Sequence, residues 1–222
     1  MRRFISWPGW PRCCWPRRSA SRARGRRSPG GCGVAGRWTR LAVVALLALG
    51  VWQLGHGAWI HAKAQLAQYL LQRAWARTLE GEREVRPWPW ADTWPVARLR
   101  VPAHDVDLIV LDGVSGRILA FAPGHASRSA APGVAGTAII TGHRDTHFRF
   151  LEAVKPGDEI VVETPGRSAR FRVVDTAVVD SRSAVIREAD GPALALLTCY
   201  PFDALRAGGP LRWVVTALPV TS

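Results

Sequence analysis

From Arg98 onward the chain is cut into short β-branched runs by seven turn signals: Asp112-Gly113, Pro123-Gly124, Pro132-Gly133, Pro156-Gly157, Pro165-Gly166, Gly191-Pro192 and Gly208-Gly209-Pro210. Proline removes a backbone donor and glycine supplies positive φ, so none of these sites continues a helix or a central strand. The runs between them read as strands over 106–111, 118–121, 136–141, 159–163, 170–179, 194–198 and 211–217. Seven or eight strands in this length predict an all-β domain over residues 98–218, with short helices and loops, closed or nearly closed as a barrel. An open sheet of that size would leave unpaired edges.

Upstream the pattern is different. Residues 41–60, LAVVALLALGVWQLGHGAWI, would form a helix of about 30 Å, the thickness of a bilayer core. We read residues 41–62 as a single N-terminal transmembrane anchor. A cleaved signal peptide is the alternative, because Gln53 and His56 leave twelve clean apolar residues and Ala62-Lys63-Ala64 has the form of a peptidase site. The anchor is preferred because that site lies far from the clean run and Trp52 and Trp59 suit a membrane interface. Residues 63–80 predict a juxtamembrane amphipathic helix with Leu66, Tyr69, Leu70, Ala74 and Leu79 on its apolar face, ended by Gly81. Over residues 81–97, Pro87, Pro89 and Pro95 predict an extended arm anchored on the domain by Trp88, Trp90 and Trp94.

Charge separates the same two halves. Residues 1–40 hold eleven arginines and no Asp or Glu, which is +11 of the net +13; the rest holds 19 basic and 17 acidic groups, or +2. A nucleic-acid-binding body is thereby excluded, since its excess charge would sit on folded elements. The basic segment reads as a disordered tail whose place before the apolar run holds the N-terminus in the cytoplasm. Cys13, Cys14 and Cys32 lie in the tail and Cys199 stands alone beyond it. A disulfide framework within the folded part is impossible, and a lone cysteine in an exported domain is an unpaired, reactive thiol.

Cys199 ends the apolar run ALALLTCYPF, residues 193–202. A cysteine in such a run is ordinarily a small buried hydrophobe. A nucleophilic thiol needs in addition an imidazole to share its proton and a cation for the oxyanion. His143 in TGHRDTHF and Arg212 in GPLRWVV supply those groups. Thr198 is read as a hydroxyl donor toward substrate or as strand filler. His147 is four residues from His143, but no third ligand stands near, so no metal site and no cofactor is read. Asp145 is taken as a turn residue, Arg144 as a solvated one, and His104 and His125 as surface histidines. The terminal LPVTS, residues 218–222, is read as the exit of the final strand.

In that order and with those gaps, TGHRDTHF, LLTCYPF and GPLRWVV resemble the His, Cys and Arg strands of sortases, over residues 88–218. PWPWADTWPVARL and the anchor look most like the Gram-negative, proteobacterial class. The resemblance implies a sortase-type barrel and a cysteine transpeptidase with Cys199, His143 and Arg212 as catalytic residues. It implies as partners a protein with a C-terminal LPXTG-like sorting signal, cleaved between Thr and Gly, and an amine of the cell envelope. The location expected is the inner membrane, with the catalytic domain in the periplasm. A cysteine endopeptidase that releases its product to water and a non-catalytic peptide-binding domain are the rival readings.

Overall fold

The computed structural model describes residues 32–186, 189–204 and 208–220. The chain divides into two units, Met1–Gln53 and Leu54–Ser222. The expected disordered tail lies outside the described residues up to residue 31. From Cys32 the chain is already helical.

Helix α1 runs unbroken over Cys32–Leu79, so the expected anchor and juxtamembrane helix are one element. It is the one helix among the described residues long and apolar enough to cross a membrane. Residues 41–60 are exposed throughout, as an apolar surface awaiting lipid would be. Lys63 Nζ sits 4.9 Å from the centre of the Trp59 ring, a cation–aromatic pair suited to a headgroup layer. Beyond Leu79, Gly81 adopts φ 98° and ends the helix.

The buried face of the C-terminal part of α1 differs from the one expected. Ala67, Leu71, Ala74, Trp75 and Thr78 are buried, whereas Leu66, Tyr69 and Leu79 are exposed. Both sets have helical spacing. The large Trp75 ring decides between them by packing with Leu71 into a cluster with Ile109, Leu111, Ile118 and Ala122.

Eight strands follow: β1 Pro95–Val101, β2 Val106–Asp112, β3 Gly124–His125, β4 Gly136–Thr141, β5 Glu159–Thr164, β6 Arg167–Asp180, β7 Pro192–Cys199 and β8 Leu211–Pro219. They close in the order β1-β2-β3-β4-β7-β8-β6-β5, which removes every sheet edge as expected. The pairs β2/β3 and β4/β7 are parallel and the others antiparallel. Inside lie Leu99, Ile140, Phe148, Leu151, Ile160, Phe171, Leu194 and Leu196, all fully buried. Each such side chain contributes roughly 1.5–3 kcal/mol of burial.

Three local expectations are corrected. Strand β1 begins at Pro95, within the supposed arm, because proline is tolerated as the first residue of a strand. Its alternation is strict, with Ala97, Leu99 and Val101 inward. Residues 118–121 are not a strand; Gly116–Leu119 forms a short helix, α2. A helical turn is what brings Ile118 and Ala122, four residues apart, onto one side against Trp75. Finally, Trp88 meets Phe121 edge-on at 4.9 Å as an anchor should, but Trp90 is 82% exposed. At the other end β8 includes Leu218 and Pro219, so the first part of LPVTS is strand exit as read; Thr221 and Ser222 lie outside the described residues.

Candidate active site

Two strand pairings bring the candidate residues to one end of the barrel. In the antiparallel β7/β8 pair, Cys199 is opposite Arg212 and Thr198 is opposite Trp213. Opposed residues share a face and successive ones alternate, so Cys199 and Arg212 lie on one side and Thr198 and Trp213 on the other. Thr198 is buried and Trp213 packs against the core. Cys199 is a half-buried free thiol.

The parallel β4/β7 pair supplies the imidazole. Its last register step is Thr141 with Leu197. Gly142 continues it through both of its backbone groups, donating its N–H to the Leu197 carbonyl at 3.1 Å and accepting from the Thr198 hydroxyl at 2.8 Å. The register itself stops at Thr141, and His143 follows directly on the Gly142 held in this way. Gly142 must be glycine here, because a Cβ would stand 2.7 Å from the fully buried Phe148 ring. The chain then turns outward, the Phe148 N–H closing onto the His143 carbonyl at 3.0 Å, and His143 is exposed.

Arg212 is fixed at the start of β8 by Nη1, which donates to the carbonyls of Gly209 at 2.6 Å and Leu211 at 2.8 Å. Nε and Nη2 have no hydrogen-bond partner among the described residues. The guanidinium is thus held at Nη1, with the Asp180 carboxylate in its field, and a fixed cation of this kind is suited to receive a developing negative charge. Tyr200 stacks on Trp213 at 5.8 Å and Phe202 meets Trp213 edge-on at 5.9 Å, so aromatic rings back this end of the barrel.

Arg144 is not solvated. Its side chain is 6% exposed, and it donates from Nε and Nη2 to the Asp145 carboxylate at 2.7 and 2.9 Å. It also donates from Nη1 to the Pro201 carbonyl at 2.5 Å and from Nη2 to the Ala204 carbonyl at 2.9 Å. Arg149 adds a bond to the Phe202 carbonyl at 3.0 Å. Asp145 therefore serves Arg144, whose hydrogen bonds hold its carboxyl below the usual carboxylate range. These contacts span more than fifty residues of sequence and were missed; a basic–acidic pair directly after the candidate imidazole is the only local signal of them.

Nearby, burial and the charge of His143 hold His147 below the usual histidine range, against hydrogen bonding to the Ala120 backbone. His104 and His125 are less exposed than expected. His125 is buried in β3, with Nε2 at 2.9 Å from the Ala130 carbonyl, and His104 lies 2.9 Å from Asp158 Oδ2.

Residues 99–220 match the sortase domain. The chain belongs to the sortase family. That span runs from within β1 past the end of β8 and contains His143, Cys199 and Arg212. Among relatives, the chain is 28% identical over 125 residues to sortase D of Bacillus subtilis, covering 55% of this chain and 63% of that protein. It is 28% identical over 192 residues to sortase SrtE1 of Streptomyces coelicolor, covering 79% of this chain and 53% of that one. The chain thus spans less than two thirds of the length of either relative. Both come from Gram-positive bacteria and lend no support to a Gram-negative class. Among solved structures, sortase A from Corynebacterium diphtheriae superposes with a TM-score of 0.53 at 28% identity, over 60% of this chain and 64% of that one. A Clostridium perfringens sortase D5 transpeptidase gives a TM-score of 0.56 at 20% identity, over 71% and 99%, and shows the shared fold. The closed barrel expected from the turn signals is therefore present, and it is of the sortase type that the motif resemblance implies.

Proposed function

We propose that this sortase is a membrane-anchored cysteine transpeptidase with Cys199 as nucleophile, His143 as proton carrier and Arg212 as oxyanion donor. The observation that supports the reading is the register that sets Arg212 opposite Cys199, together with the two bonds that hold Gly142, the residue before His143, to β7 beside Thr198. The Cys199 thiolate attacks the carbonyl carbon of a peptide bond, and a sulfur–carbon bond forms as the carbonyl oxygen takes up negative charge. The open nitrogens of Arg212 receive that charge. The carbon–nitrogen bond then breaks, and the imidazolium of His143 protonates the leaving amine. In the second half-reaction an incoming amine attacks the thioester, His143 takes its proton, and the thiolate is released.

The donor is a partner protein with a C-terminal LPXTG-like sorting signal, cleaved between Thr and Gly, and the acceptor is an amine of the cell envelope. The long apolar α1 and the arginine-rich segment before it support a single inner-membrane span with the N-terminus in the cytoplasm and the barrel in the periplasm. The arm sequence PWPWADTWPVARL is what favours the Gram-negative class. The near-neutral barrel argues against nucleic acid as a partner.

The test uses the full chain in detergent micelles, an LPXTG-containing peptide and an added amine, read by mass spectrometry. The expected products are a thioacyl adduct on Cys199 and a peptide joined to the amine, both abolished in Cys199→Ala. Hydrolysis product alone at high amine concentration would overturn transpeptidation, and full turnover by Cys199→Ala would overturn the catalytic assignment.

A further inference from the structure

We propose that Arg144 is a positioning residue of this active site, locking the loop that carries His143 to the backbone that follows Cys199. The inference rests on the catalytic reading above and adds to it a group that touches neither substrate nor reacting atom.

The argument begins with the chain on either side of each catalytic residue. Cys199 is the last residue of β7; the Tyr200 N–H still donates to the Leu211 carbonyl at 3.1 Å, but residues 201–204 beyond it belong to no strand. His143 is likewise past the end of β4, and the strand register holds it from one side only, through Gly142. Cys199 thus ends a strand and His143 lies just beyond one, so each has a flank that leaves the sheet. Arg144 bridges the two free ends. It is the immediate neighbour of His143, and its guanidinium reaches the carbonyls of Pro201 and Ala204, two and five residues beyond Cys199.

The manner of the bridge explains the residue type. Three nitrogens serve four acceptor atoms: the two Asp145 oxygens hold the plane of the guanidinium, and the two carbonyls are what it grips. A planar, permanently charged fork with five donors meets this demand, and a lysine ammonium cannot. Burial makes the grip firm, because the side chain is 6% exposed and water competes poorly for those carbonyls. Arg149 grips the intervening Phe202 carbonyl, but its side chain is 55% exposed and it also pairs with Glu152, so it is a weaker strut. A displacement of about 1 Å between nucleophile and proton carrier is enough to lower turnover about a hundredfold.

The test measures kcat and KM of the full-length enzyme in micelles for Arg144→Gln, Arg144→Lys and Arg149→Gln. Rates are normalised to the folded fraction of each preparation, read by circular dichroism, and measured at least about 20 °C below each thermal midpoint. Arg144→Gln and Arg144→Lys are both expected to lose about 10- to 100-fold in kcat with KM changed less than about threefold, while Arg149→Gln loses less than about threefold. Equal loss in the Lys variant separates fork geometry from charge, and normalisation to the folded fraction removes a merely structural effect. Turnover within about twofold of wild type in Arg144→Gln or in Arg144→Lys would overturn the inference while leaving the catalytic reading intact. Failure of both Arg144 variants to fold would also overturn it, since Arg144 would then be a folding group. Activity in Cys199→Ala, measured alongside, would instead overturn the underlying reading.

Discussion

Arg212 stands directly opposite Cys199 across the last register step of β7 and β8, and it is tethered there by one nitrogen to the carbonyls of Gly209 and Leu211. The tether sets the orientation of the two remaining donors before any substrate arrives. A lysine in its place keeps the charge but loses both the planar fork and the tethered geometry. Arg212→Lys is therefore expected to lower kcat/KM roughly 100-fold, with a thermal midpoint within a few degrees of wild type because the side chain lies outside the core. Peptide turnover and circular dichroism melting check this together. Turnover near the wild-type rate would remove Arg212 from the site.

The hydroxyl of Thr198 is buried and given to the Gly142 carbonyl. Thr198→Val is close to isosteric and leaves that carbonyl with an unmet acceptor, at a cost of about 1–3 kcal/mol. For a chain of this size that corresponds to a midpoint lowered by roughly 2–10 °C. Because the bond also holds the residue before His143, kcat is expected to fall with it. Thr198→Ser, which keeps the hydroxyl, should restore most of both. Thermal melting of the three proteins side by side is the measurement, and an unchanged midpoint in the Val variant would count against the clamp.

Six of the eight strands and the three catalytic candidates were legible in the sequence because each is local: a turn dipeptide marks a strand end, and the Cys, His and Arg flank apolar runs. What was not legible depends on partners far along the chain. Residues 118–121 have strand composition, yet the helical turn there is chosen by Trp75, more than forty residues earlier. The same ring selects which of two apolar stripes α1 buries. His125 reads as a loop histidine until β3 is seen wedged between β2 and β4. Arg144 reads as solvated because strand alternation would turn it away from His143. The strand, however, ends at Thr141, so alternation no longer applies, and the carbonyls that bury its guanidinium lie 57 and 60 residues downstream.

The lowered proton affinity of His147 has a consequence for stability with a definite sign. Above about pH 6.5 the side chain is neutral in both folded and unfolded chains and contributes no pH dependence. As pH falls below that value the unfolded chain takes up the proton while the folded chain, where burial and His143 oppose it, does not. Stability must then decrease with falling pH. Between about pH 7 and pH 5.5, above the range of ordinary carboxylates, the thermal midpoint of the wild type is expected to drop further than that of His147→Gln. Parallel melting curves across this interval would show that His147 is not the group responsible.

Gly142 couples packing to chemistry most directly. The Phe148 ring is fully buried in the core and lies where a Gly142 Cβ would be, 2.7 Å from its nearest ring atom. Neither side can yield easily, because Gly142 is bonded to β7 through both backbone groups and the ring is enclosed. Gly142→Ala is expected to destabilise the barrel by about 1–3 kcal/mol through overpacking. It should also lower kcat by about tenfold or more, because the displaced residue is the one that aims His143. The steric cause can be isolated by Phe148→Leu, which removes the ring at the cost of a cavity. If the clash is responsible, adding Gly142→Ala to Phe148→Leu should cost at least about 0.5 kcal/mol less than adding it to wild type. Chemical denaturation of the four proteins measures that coupling. Additive losses would mean that the cost of Gly142→Ala does not come from the close approach of Phe148.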